Sequence, residues 1–225
     1  MLCSYMGNMT TQKISKINFY NESIIQYKKI REKNNGKIPS LLLHVCCGAC
    51  SCYPLVYLSR LFNITIYYSN SNIFPKSEYD KRLNALKDYV KMIETIFNEK
   101  IKIVEDDYDY FKFEKDLLPF KDEEEGGNRC KICIKKRLIR LFQYAKENNY
   151  SLVGSVMSIS RNKDVFYLNE CGKSLEKDFP NIEFFYSDFK KNNGQDIGVE
   201  LSKKFCVYRQ CYCGCRFSKS EGELK

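Results

Sequence analysis

An apolar run that leads directly into closely spaced cysteines is the feature that most limits how this chain can fold. Residues 41–54 read LLLHVCCGACSCYP, which places four thiols between Cys46 and Cys52. A short continuous apolar run is typical of a strand buried on both faces of a parallel sheet. Ligands of open α/β folds gather where such strands end. The stretch therefore predicts a thiol site at the carboxyl edge of a parallel sheet.

Strand-like and helix-like segments alternate along the rest of the chain. Apolar residues between Tyr79 and Phe97 recur every three or four positions, which predicts an amphipathic helix that begins after Pro75. The alternation predicts an α/β fold with a mostly parallel sheet and helices on both faces, Rossmann-like or PP-loop-like. Further strands are expected at 63–69, 101–104, 151–157 and 182–189, and further helices near 55–62, 138–145, 164–179 and 196–206.

One catalytic domain is expected over residues 38–218, between a basic N-terminal extension (1–37) and a short tail (219–225). The extension contains a predicted helix near Tyr20–Lys33. The N-terminus lacks the apolar segment of a signal peptide, and no apolar run is long enough to span a membrane. We therefore expect a cytoplasmic protein with no membrane partner.

The chain has twelve cysteines among 225 residues, and most of them are clustered. In a cytoplasmic protein of this size, such clusters indicate metal binding or redox chemistry rather than a disulfide framework. Three cysteines stand alone and are interpreted as structural thiols: Cys3, Cys171 and Cys206. The clusters are Cys46, Cys47, Cys50 and Cys52; Cys130 and Cys133; and Cys211, Cys213 and Cys215.

The first two clusters together offer four thiolates to a metal. Cys130 and Cys133 begin a predicted helix, whose free N–H groups and positive dipole end stabilise thiolates. Four thiolates suit either zinc or an iron–sulfur cluster. Adjacent side chains are expected to diverge, so Cys46 and Cys47 should not easily share one tetrahedral zinc. This favours a [4Fe–4S] cluster, in which each thiolate binds its own iron.

The net charge of +9 makes nucleic acid a candidate partner. Residues 126–225 hold nineteen basic and eleven acidic side chains, which is a local excess of eight positive charges. Charge alone favours the simpler interpretation of a solvated, lysine-rich surface.

Four motifs, LHVCCGACS, YSNSNIFPKSEYDKR, GNRCKICIKKRL and YRQCYCGCRFS, together resemble the QueH family of cobalamin-independent epoxyqueuosine reductases. The resemblance runs from about Leu41 to Ser218. It implies the last step of queuosine biosynthesis, reduction of the epoxide of epoxyqueuosine in the anticodon loop of a tRNA. The electron donor is not identified by the sequence. One departure is the CCGACS motif, which stands where the family has CCAPCS, and no family role is assigned to Cys52 or Cys211.

The resemblance also implies cofactors and a redox pair. It implies a [4Fe–4S] cluster on Cys46, Cys47, Cys130 and Cys133, a redox-active pair at Cys213 and Cys215, and a second metal ion, iron or zinc. Cys50 is the candidate ligand of that second metal. Removal of an epoxide oxygen as water consumes two electrons and two protons, and a dithiol can store two electrons. Gly214 between the two thiols supplies the permissive backbone that a tight ring requires.

Several polar residues are candidates for the substrate pocket. The resemblance implies pocket roles for residues that follow a predicted strand, where turn formation or helix capping is the simpler explanation: Asn70, Asn72, Glu78, Tyr79 and Arg82. Others adjoin the cysteine motifs and could hold tRNA phosphate or the modified base: Arg129, Arg137, Arg209 and Gln210. We interpret His44 as a buried strand residue rather than a metal or substrate contact.

Two other classes of protein stay open. The first is a zinc-stabilised nucleic-acid-binding module without catalysis, against which the vicinal cysteine pair argues. The second is a thiol–disulfide oxidoreductase that acts on proteins, which the Cys-x-Cys end suggests but which would not require the first two cysteine clusters.

Overall fold

A five-stranded parallel sheet forms the centre of the computed structural model, which describes residues 17–218. The order of the strands across the sheet is β3-β2-β1-β4-β5, and every pairing is parallel. This confirms the predicted α/β fold. The strands are β1 (Ser40–His44), β2 (Asn63–Tyr68), β3 (Lys102–Glu105), β4 (Leu152–Ser155) and β5 (Glu183–Phe184).

Seven α-helices and three short 3₁₀ turns connect these strands in the described part of the chain. The helices are α1 (Phe19–Lys33), α2 (Gly48–Leu58), α3 (Lys76–Phe97), α4 (Tyr110–Glu114), α5 (Asn128–Glu147), α6 (Val165–Leu175) and α7 (Gly194–Lys204). The 3₁₀ turns are Leu118–Phe120, Val156–Ile159 and Arg216–Ser218. None of the described helices is both long and apolar enough to cross a bilayer.

Strand β1 is the central strand and has a core on each of its faces. Leu41 and Leu43 belong to the larger core with residues of α2 and α3, whereas Leu42 belongs to the core formed with α5 and α6. Side chains alternate between the faces of a strand, so an uninterrupted apolar run supplies both cores. β1 pairs with β2 from Ser40↔Asn63 to His44↔Tyr67, and with β4 on its other side. The strand therefore delivers the following cysteines to the carboxyl edge of the sheet.

Helix α1, which the sequence assigns to an N-terminal extension, packs on the α/β domain. Ile30 lies in the larger core. The Gln26 side chain donates to the carbonyl of Phe184 at 2.8 Å and accepts from the Tyr186 amide at 2.9 Å. These bonds pair Gln26 with the backbone at the β5 edge of the sheet. Residues 1–16 of the expected extension, and the tail 219–225, lie outside the described residues.

The strand expected over 182–189 is much shorter in the structure, where β5 spans only two residues. The backbone beyond Phe185 bonds to side chains instead of to a neighbouring strand. Asn169 accepts from the Ser187 amide at 3.0 Å, and Ser158 accepts from the Phe189 amide at 3.4 Å. The apolar pattern identified the segment. It could not reveal that the backbone of this segment bonds to side chains instead of pairing with a neighbouring strand.

Candidate active site

The first cysteine motif forms a compact thiol group directly after β1. The sulfur atoms of Cys46, Cys47 and Cys50 all lie within 4.8 Å of one another. Cys47 is the N-cap of α2, and its sulfur accepts a hydrogen bond from the Cys50 amide at 3.2 Å. A thiol thus takes the capping role that Ser, Thr, Asp or Asn usually plays. These three cysteines could hold a metal ion.

The expectation that the vicinal thiols diverge is wrong. The Cys46 and Cys47 sulfurs are 4.0 Å apart, because Cys47 has an extended backbone (φ −172°, ψ 163°) immediately before the helix. Two sulfurs on one tetrahedral zinc are separated by about 3.8 Å. The spacing therefore suits a single zinc as well as an iron–sulfur cluster, and it does not distinguish between them.

The three thiols differ in their protonation. Hydrogen bonds with Cys47 and Cys50 hold the pKa of Cys46 well below its usual range. Burial raises the pKa of Cys47, and hydrogen bonds with Cys46 and Cys47 raise that of Cys50. The group therefore favours one thiolate, on Cys46, until a metal ion stabilises the others.

The second cysteine motif occupies the first two turns of α5. Cys130 accepts a hydrogen bond from the Gly126 amide at 3.2 Å, and burial raises the pKa of Cys133. These two thiols are not part of the compact group formed by the first motif. The positive charge of Arg137 favours the thiolate form of both Cys46 and Cys133, although burial outweighs it at Cys133, so Arg137 acts on both motifs. The four-thiolate set stays a prediction.

Arg137 is a buried part of the site rather than a surface residue. Its side chain is 2% exposed; it donates to Asn70 Oδ1 at 2.6 Å and to His44 Nε2 at 3.3 Å. His44 bonds through Nδ1 to Ser155 Oγ at 3.0 Å. Burial and the neighbouring Arg137 lower the pKa of His44 to about 3, so the ring is neutral. The interpretation of His44 as a satisfied, buried strand residue agrees with these contacts.

The third cysteine motif lies in a loop that other parts of the chain hold in place. Arg82 donates to the carbonyls of Cys213 at 3.0 Å and Tyr212 at 3.2 Å, and it pairs with Glu78 at 2.7 Å. Gly214 has φ +108°, a conformation that favours glycine. Glu78 and Arg82 therefore shape this loop.

The third motif also contacts the first. Gln210 Nε2 donates to the Cys47 sulfur at 3.0 Å and lies 3.7 Å from the Cys50 sulfur. On the other side of the loop, Lys163 Nζ donates to the Cys213 sulfur at 2.9 Å. Burial raises the pKa of Cys215 to about 12.

A cavity of about 370 Å³ lies between these motifs at the carboxyl edge of the sheet. The amide oxygens of Asn72 and Gln210 are buried in its wall without a hydrogen-bond partner among the described residues. Buried polar atoms usually have a partner, so these oxygens indicate a position for a ligand. The polar and thiol-bearing residues that line the cavity include Cys46, Cys50, Asn70, Asn72, Arg82, Arg137, Lys163, Arg209, Gln210, Cys211 and Cys213.

Three of the predicted pocket residues do not line the cavity. Tyr79 is buried in the core, where its ring packs against Tyr68 with centroids 5.1 Å apart. Glu78 pairs with Arg82, and Arg129 is buried and donates to the carbonyl of Lys121 at 2.7 Å. Their contacts are structural. The other six residues of the predicted set do line the cavity: Asn70, Asn72, Arg82, Arg137, Arg209 and Gln210.

Lys163 is a functional candidate that the sequence analysis missed. It lies in the polar loop that follows β4 and the adjoining 3₁₀ turn, at the same edge of the sheet as the cysteines. Position after a strand was the only available signal, because a single lysine in a lysine-rich chain has no distinguishing pattern.

The fold and the site define a class of protein: a thiol-rich α/β domain with a metal-binding cysteine group and a cavity at the carboxyl edge of its sheet. A family model described as "Epoxyqueuosine reductase QueH" matches residues 41–221. The chain belongs to the QueH family.

Curated relatives named "Epoxyqueuosine reductase QueH" cover nearly the whole chain. The protein of Streptococcus pyogenes serotype M1 is 36% identical over 95% of this chain and 82% of its own length. That of Staphylococcus epidermidis is 34% identical over 95% of this chain and 88% of its own length. A solved structure, a predicted subunit of tRNA methyltransferase from Methanocaldococcus jannaschii, is 18% identical at a TM-score of 0.46, covering 72% of this chain and 74% of its own.

Proposed function

We propose that this protein is an epoxyqueuosine reductase. It removes the epoxide oxygen of epoxyqueuosine in the anticodon loop of tRNA and leaves queuosine, the last step of that modification. The observation that carries the proposal is family membership over residues 41–221, together with a cavity lined by thiols of the first and third motifs. The cavity volume lies in the range of pockets that enclose small molecules, which suits one base turned out of its loop.

The thiol donors fit an iron–sulfur cluster. Four candidate ligands, Cys46, Cys47, Cys130 and Cys133, are all sulfur donors, and soft thiolates are the usual ligands of such clusters. Cys50 is the candidate ligand of a second metal ion, because its sulfur lies in the same compact group as Cys46 and Cys47. When bound, a [4Fe–4S] cluster would supply one-electron transfer, and a second ion, iron or zinc, would polarise the epoxide oxygen.

Residues of the chain itself store electrons, position the redox pair and contact the substrate. Cys213 and Cys215 store the two electrons that the reduction consumes. Arg82 holds their loop, and Gln210 ties that loop to the first motif through its bond to Cys47. The free oxygens of Asn72 and Gln210 offer acceptors to donor groups of the substrate. Arg209 is exposed at the cavity, which supports a role for it in binding tRNA phosphate.

The proposal is tested by an anaerobic assay on tRNA that contains epoxyqueuosine. Metal-loaded protein and an excess of dithionite should convert the modified nucleoside to queuosine, detected by mass spectrometry as the loss of one oxygen atom. Cys171→Ala, which changes a buried cysteine outside the motifs, should retain this activity. A metal-loaded wild-type protein that leaves the epoxide intact would contradict the proposal.

A further inference from the structure

Lys163 brings a positive charge into the wall of the cavity, directly against one thiol of the redox pair. Its ammonium group lies 2.9 Å from the Cys213 sulfur and 3.8 Å from Glu125 Oε1. The side chain is only 8% exposed. Both Lys163 and Cys213 line the cavity, so the contact faces the space that would receive a substrate.

A buried ammonium group requires a negative partner, because its desolvation is otherwise costly. Burial by itself lowers the pKa of Lys163, but the neighbouring Cys213 and Cys133 outweigh burial and raise it above its usual value. Glu125 is 30% exposed and its oxygen is farther away, so Cys213 is the closer partner. A lysine beside a cysteine stabilises the thiolate.

The two members of the redox pair differ in their surroundings. Cys213 has the lysine contact and lines the cavity, whereas burial raises the pKa of Cys215 to about 12 and Cys215 does not line the cavity. The reduced pair therefore has an asymmetric environment, with one sulfur beside an ammonium group and the other in surroundings that favour the thiol.

We propose that Lys163 is a catalytic residue that forms an ion pair with the Cys213 thiolate and supplies one of the two protons of the reduction. The inference rests on the proposed function and on the assignment of Cys213 and Cys215 as the redox pair. It assigns the proton donor, which neither the sequence motifs nor the family match identifies.

The step balances with the groups that the site holds. The reduced state contains the Cys213 thiolate, the Cys215 thiol and the Lys163 ammonium. A bond forms between the two sulfurs, which releases two electrons to the epoxide carbons; both C–O bonds break and a C=C bond forms. The oxygen leaves as water with one proton from Cys215 and one from Lys163. The products are a disulfide, a neutral lysine, the alkene and water, and the net charge is unchanged. A dithiol such as dithiothreitol then reduces the disulfide between Cys213 and Cys215, and Lys163 regains a proton from solvent.

The first test measures the reactivity of Cys213 without any substrate. Metal-loaded protein, reduced with dithiothreitol and freed of it, is treated with iodoacetamide at neutral pH, and labelling of each cysteine is followed by peptide mass spectrometry. Lys163→Met should slow the labelling of Cys213 about tenfold, because thiolates react and thiols do not. Lys163→Arg retains the charge and should stay within about threefold of wild type.

Arg161→Met is the matched control, because it removes another positive charge from the same cavity. It should leave the labelling of Cys213 within about twofold of wild type, since charges without direct contact are screened. Melting temperatures of all variants establish that they are folded. Unchanged Cys213 labelling in Lys163→Met, or a Lys163→Arg protein as slow as Lys163→Met, would overturn the ion pair.

The second test measures a single turnover on tRNA that contains epoxyqueuosine. Lys163→Met should lower the rate by about a hundredfold, the usual contribution of a general acid. If wild-type protein reduces no epoxyqueuosine but Lys163→Met still slows labelling, the proposed function fails and the ion pair stands. If wild type is active and Lys163→Met turns over at the same rate, the proton-donor role is wrong.

Discussion

Arg82 donates a hydrogen bond to the backbone carbonyl of Cys213 at 3.0 Å, across 131 residues of sequence. The guanidinium is buried; it also pairs with Glu78, donates to the carbonyl of Tyr212 and lies 5.0 Å from the centre of the Tyr212 ring. This arrangement fixes the loop with the third cysteine motif over the cavity, where Gln210 reaches the thiols of the first motif. One arginine on α3 thus helps to hold the third cysteine motif in place.

Replacement of Arg82 should therefore destabilise the protein. Arg82→Met should lower the free energy of unfolding by about 3 kcal/mol, because it leaves the largely buried Glu78 without its charged partner. The control is Lys76→Met on the same helix, since Lys76 pairs with Asp80 at the same spacing but both side chains are about half exposed. That variant should lose less than about 0.5 kcal/mol. Anaerobic denaturation with urea measures both, and equal losses would contradict the role given to Arg82.

Gly214→Ala should disturb the loop that contains the third cysteine motif more than backbone strain alone can explain. The residue has φ +108°, and an added Cβ would lie 2.9 Å from Arg82 Nη1 and 3.0 Å from Ile73. We expect unchanged metal content, a free energy of unfolding lower by more than about 1 kcal/mol, and loss of turnover. Gly36→Ala is the control, because Gly36 also has a positive φ (+73°) but no atom within 4 Å of the added Cβ. A Gly214→Ala protein with wild-type turnover would show that the loop tolerates displacement.

Metal content should depend on the predicted ligands individually. Cys46→Ala, Cys47→Ala, Cys130→Ala and Cys133→Ala should each lose most of the iron and sulfide of anaerobically purified protein, because a cluster needs all its thiolates. Cys171→Ala should retain both. Elemental and sulfide analysis measures the iron, zinc and sulfide content of each variant. Wild-type protein with stoichiometric zinc and no sulfide would contradict the cluster and leave the three-thiol group as a zinc site.

Binding of tRNA should depend on Arg209 and on salt. Arg209→Glu should weaken binding and reduce the slope of log K against log salt, as expected when a phosphate contact is lost. Lys100→Glu is the control, because Lys100 is 93% exposed but precedes β3, at the opposite edge of the sheet. Filter binding at several salt concentrations measures both. Equal losses of tRNA affinity in the two variants would mean that net charge, and not a contact at the cavity, determines binding.

The alternation of apolar strands and amphipathic helices was enough to predict the parallel sheet and the edge at which the thiols lie. β1 shows why: an uninterrupted apolar run has few alternatives to a central strand with a core on each face. The β5 segment shows the limit of this reasoning. Its backbone bonds to Asn169 and Ser158, and a residue pattern does not reveal such distant partners.

The inner part of the site could not be predicted because it depends on contacts between distant residues. The sequence placed Arg137 beside a cysteine motif as a candidate to hold tRNA phosphate or the modified base, but it could not show that Arg137 is buried against His44 and Asn70. The Cys47 thiol caps a helix, which brings neighbouring sulfurs together that the sequence suggested would diverge. Only the structure identifies Lys163 as a functional candidate, through its 2.9 Å contact with the Cys213 sulfur.

The most direct test of the account is a single turnover in which the protein itself is the only source of electrons. Anaerobic, metal-loaded protein is reduced with dithiothreitol, freed of it, and mixed with tRNA that contains epoxyqueuosine; the nucleosides are then analysed by mass spectrometry. We predict that wild-type protein forms queuosine and that Cys213 and Cys215 become a disulfide, whereas Cys215→Ser with the same metal content forms none. Intact epoxide in the wild-type reaction, or equal queuosine formation by Cys215→Ser, would contradict the account.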